Sequence, residues 1–483
     1  MPKIRAPLRV TTLIAGAFFM EMLDATIIAT ALPQMARSFH VGPVSLNIGM
    51  TAYMLTLAVF IPISGWMADR MGSRTVFAAA IGVFTVASGL CGISTTLGQF
   101  ILFRILQGVG GAMMVPVGRL IVLRTAPKEK LTQALALITW PGLSALVIGP
   151  PLGGFITTYL SWHWIFFLNL PVGLLALVLA LVWIENVRGE DLHPFDWTTF
   201  VLGGFGSAGA VYGLERLGGD VAHWKAPVAI LAASVLSGVV AVQLARHRPE
   251  RSLIDFESLR LKTFSLCVNG ASPFRVAVGV LPFLLPMMFQ IAFGLTAFQA
   301  GLYLLVLFAG DFSMKALVIP ILRRWGFRRV IIVNGICVAL SMVFCSAFTP
   351  RTPVWTIVLI LYVHGACRSM EFTSLTTLAF AEIPPERMSR ANGFLSAVMQ
   401  LSSGMGVAVG AITVSLVAAA RGHSVNQPQL NDFRLAILFM SVLALGPVID
   451  SLGMDPRAGA DTSGHAHPHL GETQLLDDSQ CGD

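Results

Sequence analysis

Two carboxyl groups lie within the first long apolar run of this sequence. Glu21 and Asp24 are three residues apart, so they share one face of a helix. Removal from water disfavours the charged form of a carboxyl group, and a neighbouring carboxylate adds to this effect. The pair therefore predicts a group that binds and releases a proton, with Asp24 ahead of Glu21. The alternative is that one of the two reaches the outer interface or is held silent in an ion pair.

A permanent positive charge lies in another apolar run. Arg104 cannot lose its charge, so within an apolar environment it needs an anionic partner or a carbonyl group. Gln107 follows one turn later and is a candidate member of the same hydrogen-bond network. The simplest role for such a group is a structural ion pair between packed helices.

The second half of the chain carries charged residues of its own in apolar runs: Arg275, Asp311, Lys315, Arg368 and Glu371. Asp311 and Lys315 are one helical turn apart, and Arg368 and Glu371 are three residues apart. One interpretation is two intrahelical ion pairs and an arginine bound to carbonyls or water. The other is a polar cavity wall, since charged residues inside a membrane are functional candidates by default. Three cations among these residues would suit an anionic or zwitterionic substrate, whereas cavities for lipophilic cations favour carboxylates and aromatic rings.

The composition identifies the elements that must position these groups. Of 483 residues, 55% are hydrophobic and 12% are charged, and the mean hydropathy is +0.75. These values exclude an ordinary soluble enzyme, a disordered protein and a coiled coil, and they predict an integral membrane protein. Apolar runs long enough to cross a bilayer predict fourteen spans, at 11–31, 47–67, 76–96, 99–122, 134–158, 165–185, 197–216, 225–245, 265–292, 297–321, 330–349, 354–378, 392–418 and 433–452.

The distribution of basic residues predicts the orientation. Lys and Arg are concentrated in the loops that face inward if the N-terminus is cytoplasmic, as the positive-inside rule requires. Both termini are therefore expected in the cytoplasm. The net charge of +7 comes from these short loops, so we expect the bilayer and no nucleic acid as a partner. The tail from 453 is polar and is predicted to be disordered.

A weak internal repeat relates the two halves of the chain. The segment GWMADRMGSR at 65–74 corresponds to IPILRRWGFR at 319–328, with Gly72 matching Gly326. Further on, Gly108 matches Gly365. The repeat predicts an all-α major facilitator fold, with two six-helix bundles and two inserted helices. The predicted regions are a cytoplasmic N-terminus (1–10), the first bundle (11–185), the insert with its cytoplasmic loop (186–264), the second bundle (265–452) and the tail (453–483).

Several segments follow one another in the order typical of one transporter family. They are LDATIIATALP (23–33), GWMADRMGSR (65–74), RILQG (104–108), GPPLGG (149–154) and WHWIFFLNLPVG (162–173). The sequence resembles the fourteen-span drug:proton antiporter branch of the major facilitator superfamily, closest to its MdtD type of multidrug exporter. The resemblance covers nearly the whole chain apart from the tail. It departs from the family at Ala29 and Thr30, where Asn-Val is usual.

The resemblance implies roles for three groups of residues. Asp24, Glu21 and Arg104 would couple proton binding to transport, with Arg104 adjusting the proton site. A charge latch at the cytoplasmic edge would comprise Gly65, Asp69, Arg70, Gly72 and Arg74. In it, Gly65 and Gly72 are expected to let helices or backbone approach closely. The alternative is that Arg70 and Arg74 only set the orientation of the chain in the membrane. Arg323 stands at the Asp69 position of the second half, so a second latch is not expected there. An antiporter motif would comprise Gly149, Pro150, Gly153 and Gly154, for which physics alone predicts a tightly packed, bent helix.

The resemblance and the buried charges together predict a proton-coupled antiporter that exports small molecules by alternating access. It would be a monomer in a bacterial inner membrane, driven by the proton gradient without a cofactor or a metal. The alternatives are an exporter of an anionic metabolite or metal chelate, a proton-coupled importer and a membrane sensor.

GFGSAG at 204–209 lies in an apolar run and is not expected to bind a dinucleotide. The tail histidines 465, 467 and 469 are expected to be solvated, and His364 to be packed; Gly406 and Gly410 are expected to form a packing face.

Overall fold

A computed structural model describes residues 6–125, 131–189, 195–219, 225–247, 257–384, 387–422, 428–455 and 458–459. Helices dominate these residues, and none of them lies in a strand. The predicted tail beyond 459, with its three histidines, lies outside the described residues. The first half contains α1 Ala6–Ile27, α2 Leu32–Ser38, α3 Asn47–Phe60, α4 Ser64–Met71, α5 Ser73–Gly92, α6 Leu97–Thr125, α7 Leu131–Tyr159, α8 His163–Phe167 and α9 Asn169–Trp183.

Two helices follow the first half, and a second set completes the fold. The intervening pair is α10 Trp197–Gly219 and α11 Lys225–His247. The remaining helices are α12 Lys262–Ser265, α13 Ser272–Ile291, α14 Ala297–Met314, α15 Val318–Ser346, α16 Val354–Ala379, α17 Met388–Ala420, α18 Leu430–Leu443 and α19 Gly446–Leu452. Within the described part of the chain, eleven helical segments are long and apolar enough to cross a membrane. Helices α7, α10 and α16 stand at predicted spans but are not among the eleven, so the count of fourteen stays a prediction.

The tenth predicted span, 297–321, is wrong at its C-terminal end. Helix α14 ends at Met314, and a new helix begins at Val318. Pro320 explains the break, because its ring would clash with the carbonyl four residues earlier and it donates no hydrogen bond. The corresponding break in the first half follows Phe60, where Pro62 lies in a short 3-10 turn.

The predicted repeat has structural counterparts at both glycine pairs. Gly72 (φ 96°, ψ 139°) and Gly326 (φ 72°, ψ 164°) both interrupt the helical path with a backbone conformation that favours glycine. Gly108 of α6 lies against the Tyr53 carbonyl of α3, and Gly365 of α16 lies against the Leu307 carbonyl of α14. Each glycine thus allows close packing against the corresponding helix of its own half.

The helices pack as two groups that meet along two seams. In the first half α1 packs on α7, and α5 packs on α6 and α9; in the second half α13 packs on α17, and α16 packs on α14 and α15. Helix α7 meets α14 along one seam, and α3 meets α17 along the other. Helices α10 and α11 pack on each other, and α10 also contacts α3 and α17, so the intervening pair covers the second seam.

The two halves are joined at the end that the charge distribution predicts to be external. Gln290 Nε2 donates to the Thr30 carbonyl at 3.1 Å, and the Phe298 amide donates to Thr158 Oγ1 at 3.1 Å. The Phe298 ring also contacts the ring of Tyr159. At this end both halves contribute side chains to one apolar core, while a second core consists of first-half residues. A cavity lies between the halves.

Candidate functional site

Asp24 and Arg104 form a buried ion pair between α1 and α6. Arg104 Nη1 lies 2.7 Å from Asp24 Oδ2, and each residue is 1% exposed. Gln107 accepts from Arg104 Nη1 at 2.7 Å and donates to Asp24 Oδ1 at 2.9 Å. The anionic partner that Arg104 requires is therefore Asp24, and Gln107 joins the network as its spacing predicts.

Three further residues complete this charge network. Asn169 of α9 donates to Asp24 Oδ1 at 2.9 Å and to Ser88 Oγ of α5 at 3.0 Å. The Arg104 guanidinium lies 4.2 Å from the centre of the Tyr53 ring, a distance typical of a cation–π contact. Sequence reasoning missed all three, although Asn169 is a polar residue within an apolar run. Asp24 thus accepts from three donors, one of them charged.

Glu21 has a different environment, although it lies one turn from Asp24. Its side chain lines the cavity between the halves. It is 3% exposed, and its Oε2 atom has no hydrogen-bond partner among the residues that the structure describes. Asp24 and Arg104 do not line this cavity. The structure therefore separates the predicted pair into one carboxyl group enclosed by donors and one buried in the cavity wall.

Both halves contribute to the cavity, which has a volume of about 330 Å³. This volume falls at the lower end of the range for small-molecule sites. Its apolar wall includes Met22, Met54, Phe283, Phe308 and Phe372. Its charged residues are Glu21 from the first half and Arg275, Asp311, Lys315 and Arg368 from the second.

Arg275 is the most isolated cation of the wall. It is 2% exposed, and neither Nη1 nor Nη2 has a hydrogen-bond partner among the described residues. Burial of an unpaired guanidinium is unfavourable. No carbonyl group of the described residues accepts from these two nitrogens, and the alternative of bound water stays a prediction.

The interpretation with two intrahelical ion pairs is wrong. Arg368 Nη2 of α16 lies 3.2 Å from Asp311 Oδ2 of α14, so this pair connects two helices. Lys315 is the C-terminal cap of α14, and its Nζ donates to Thr373 Oγ1 at 3.0 Å instead of approaching Asp311 within ion-pair distance.

Glu371 does not line the cavity, and its assignment there is a wrong prediction. Asn334 of α15 donates to Glu371 Oε2 at 3.0 Å, and Oε1 is buried without a partner. Residues three apart on a helix point in directions that differ by about 60°. Arg368 consequently faces α14, while Glu371 faces α15.

The motif at the predicted cytoplasmic edge includes an ion pair with a residue that sequence reasoning missed. Asp69 Oδ1 lies 2.6 Å from Arg124 Nη2, a basic residue at the end of α6, and both side chains are partly exposed. The Asp69 carbonyl accepts from the Gly189 amide at 3.0 Å. The Arg70 guanidinium lies 5.5 Å from the Trp66 ring. No contact that joins Arg74 to the other motif residues is evident among the described residues.

The two glycines of this motif differ. Gly72 lies directly against the Asn186 side chain, which donates to Thr75 Oγ1 at 3.0 Å. Gly65 is exposed, and no heavy atom lies within 4 Å of the position that a Cβ atom would take. The close approach predicted for Gly72 is observed, and the one predicted for Gly65 is wrong.

The small residues of α7 pack against both halves. Gly149 lies against Thr26, and Gly153 lies against the Ile27 carbonyl, both in α1. On the opposite side, Gly154 lies against the Ala297 carbonyl of α14. The Pro150 carbonyl accepts from Thr30 Oγ1 at 3.4 Å. The tight packing predicted for this segment is observed, and Gly154 extends it across the seam between the halves.

The remaining motifs have structural explanations. Residues 204–209 lie inside α10, where Gly206 packs against the backbone of Gly238. Gly406 and Gly410 pack against Val276 and Val280 of α13. His364 is buried, and its Nδ1 atom lies 2.8 Å from Ser341 Oγ.

Comparison with known proteins identifies the family. The sequence model of the Major Facilitator Superfamily matches residues 14–407 and 269–449. A Citrobacter koseri protein named "Putative multidrug resistance protein MdtD" is 37% identical over 421 residues, covering 85% of this chain and 88% of that protein. A protein of the same name from Escherichia coli O6:H1 is 38% identical over 409 residues, covering 84% and 85%.

Solved transporters share the fold. A bacterial homolog of the human lysosomal transporter Spinster, in an inward-facing and unoccupied conformation, aligns with a TM-score of 0.66 at 14% identity. The alignment covers 97% of this chain and 100% of that one. A D-xylose–proton symporter aligns with a TM-score of 0.65 at 14% identity, covering 93% and 99%. Identities this low establish the fold and nothing about substrate.

Proposed function

The chain belongs to the major facilitator superfamily, and from that premise we propose that it exports small molecules in exchange for protons. It is a multi-pass membrane transport protein and not an enzyme. In the proposal, regions 11–185 and 265–452 rock about the cavity to give alternating access, with 186–264 as the insert. The protein is a monomer in a bacterial inner membrane, with both termini in the cytoplasm. The proton gradient drives it, and no cofactor or metal is required.

The main observation that supports this proposal is Glu21, which lies in the cavity wall without a hydrogen-bond partner for Oε2 among the described residues. A carboxylate in the wall of the substrate space binds either a proton or a positive group of the substrate, and this competition couples the two in opposite directions. Asp24 is the weaker candidate, because its protonation requires loss of the contacts with Arg104, Gln107 and Asn169. We assign the proton to Glu21 and a supporting electrostatic role to the pair of Asp24 and Arg104.

The contacts between the halves support a cycle in which the predicted external end opens. Opening there separates Gln290 from Thr30 and Phe298 from Thr158. It also separates Gly154 from the Ala297 carbonyl. These hydrogen bonds lie at one end of the seams between the halves, where a rocking movement about a central cavity would break them.

Export of an anionic metabolite or a metal chelate is the second candidate. The observation that favours it is the group of cations in the cavity wall, namely Arg275, Lys315 and Arg368. Of these, Arg368 has a carboxylate partner, which leaves two available for an anion. Substitution of Arg275 or Lys315 by Gln should then abolish carboxylate transport and leave dye efflux intact.

Substrate-induced proton flux in proteoliposomes tests the proposal. Purified protein is reconstituted with an internal pH dye, and cationic dyes, carboxylates and metal chelates are added in turn. We expect wild-type flux with at least one class, and its loss in Glu21→Gln. Glu371→Gln is the matched control, because Glu371 is equally buried but lies outside the cavity; its flux should persist.

Three outcomes would contradict the proposal. Flux that survives in Glu21→Gln but is lost in a stable Asp24→Asn variant would move the proton to Asp24. Absence of proton flux with every compound, alongside measurable substrate binding, would favour a sensor. Accumulation of the substrate in the direction of proton entry would identify an importer.

A further inference from the structure

Two charged groups without partners face the same cavity from opposite halves. Glu21 lies on α1 and Arg275 lies on α13. Both are almost fully buried, and Glu21 Oε2 and Arg275 Nη1 and Nη2 lack hydrogen-bond partners in the described structure. The other charged wall residues have partners, since Arg368 contacts Asp311 and Lys315 contacts Thr373. The charged groups of the wall that lack partners among the described residues are therefore one carboxyl group and one guanidinium.

We propose that the substrate is a small zwitterionic amphiphile that carries an acid group for Arg275 and an ammonium group for Glu21. Its apolar body would pack on Met54, Phe283 and Phe308 of the wall. A guanidinium binds a carboxylate or phosphate through two parallel hydrogen bonds, which suits the two free nitrogens of Arg275. This inference rests on the proposed proton exchange at Glu21, and it adds the substrate class.

Neither a pure cation nor a pure anion satisfies both groups. A cation would neutralise Glu21 and leave Arg275 buried without a partner. An anion would pair with Arg275 and bring its charge towards the carboxylate of Glu21. Protonation of Glu21 would then strengthen anion binding, which couples proton and substrate in the same direction. With a zwitterion, protonation of Glu21 removes the partner of the ammonium group and releases the substrate, as exchange requires.

The surroundings of Glu21 support this competition. Asp24, on the same helix, is already paired with Arg104. Tyr53 of α3 lines the cavity, and its hydroxyl group has no hydrogen-bond partner among the described residues. Arg119 of α6 lies 5.7 Å from the Phe18 ring and attracts Glu21 electrostatically, but these two described residues form no ion pair within 4 Å. Helices α7 and α9, which pack on α1, carry no charged side chain. An ammonium group in the cavity would therefore meet Glu21 as its available carboxylate on this side.

Matched compounds separate the two charges. The probes are phenylalanine and ω-aminooctanoic acid, each with its methyl ester (cation only) and its N-acetyl derivative (anion only). Binding to purified protein is measured by calorimetry, and proton flux is measured separately in proteoliposomes. For at least one series, we expect the zwitterion to bind about tenfold more tightly than either derivative, the effect of one charged hydrogen bond.

Each variant should remove one half of this preference. Arg275→Gln should lower zwitterion affinity to that of the ester and leave ester affinity unchanged. Glu21→Gln should lower the zwitterion affinity to that of the N-acetyl derivative. Arg275→Lys, which keeps the positive charge, should retain part of the preference, and it guards against a folding defect in Arg275→Gln. Glu371→Gln, outside the cavity, should retain all of it.

Three results would overturn the inference. In the first, the zwitterion and an N-acetyl derivative bind equally, and Glu21→Gln binds the anion more strongly. In the second, the zwitterion and an ester bind equally, and Arg275→Gln leaves the ratio of their affinities unchanged. In the third, none of the probes binds. Proton flux with cationic dyes but no zwitterion preference overturns this inference and leaves the proposed function intact. Zwitterion binding without any proton flux overturns the proposed function.

Discussion

Arg104 approaches Asp24 to 2.7 Å in a site where the two side chains are 1% and 0% exposed. The pair joins α6 to α1, and Asn169 adds α9 to the same carboxylate. Its charges neutralise each other, so the network holds three helices of the first half together without a net charge in the membrane interior. Glu21, one turn away, lies in the cavity wall, and its Oε2 atom has no hydrogen-bond partner among the described residues.

Removal of one member of this pair should destabilise the protein strongly. Asp24→Asn or Arg104→Gln leaves one buried charge without its partner, and we expect a loss of about 3–5 kcal/mol in the free energy of unfolding. The double variant should lose less than the sum of the two. Unfolding in detergent, followed by circular dichroism, measures this. Asp69→Asn, in the partly exposed pair with Arg124, is the control and should cost about 1 kcal/mol or less. Equal losses in the buried and exposed pairs would contradict the prediction.

The two glycines that interrupt helices should not tolerate alanine. Gly72 and Gly326 have φ values of 96° and 72°, and we expect each substitution by Ala to cost about 1–3 kcal/mol. Gly72→Ala should cost more, because the Asn186 side chain must also move. The measurement is again the unfolding transition. Gly16→Ala, in the middle of α1 with no atom close to the added methyl group, should leave stability unchanged or raise it. If Gly326→Ala leaves the free energy of unfolding unchanged, the backbone readily adopts another conformation at this position.

Gly154→Ala should weaken the contact between the halves. The added methyl group meets the Ala297 carbonyl of α14, and overpacking of this kind costs about 1–3 kcal/mol. We expect the predicted external end to open more often. An added cysteine at Thr158, in a background without native cysteines, should then react faster with an impermeant maleimide. Gly65→Ala, where the space is open, is the matched control. Unchanged labelling in Gly154→Ala would exclude a role for this contact in closure.

The ion pair between Asp69 and Arg124 should affect transport more than stability. Both side chains are partly exposed, so Arg124→Glu should lower the free energy of unfolding by about 1 kcal/mol or less. If the pair acts as a latch, Arg124→Glu should slow dye efflux severalfold, and the charge swap Asp69→Arg with Arg124→Glu should restore part of the rate. Failure of the swap to restore efflux, with both variants folded, would leave the motif a topology signal.

The sequence by itself determined the membrane character, most helix positions and the identity of the buried charges. This succeeded because apolar runs of spanning length and charges within them are local properties of the chain. Sequence patterns also predict that Arg104 needs an anion and that the segment from Gly149 to Gly154 packs tightly. They likewise predict the repeat that relates Gly72 to Gly326. The break in the tenth span escaped the hydropathy count, because it depends on one residue, Pro320.

Only the tertiary structure decided which groups meet. Spacing along one helix states that Arg368 and Glu371 are neighbours, but it does not state which helix each of them faces. Arg368 therefore pairs with Asp311, while Glu371 turns to Asn334. The same applies to Glu21 and Asp24, which share a helix but differ in surroundings, because α6 and α9 enclose Asp24 and the cavity borders Glu21. Side-chain partners across helices depend on how the helices pack, and this arrangement results from contacts between residues far apart in the sequence.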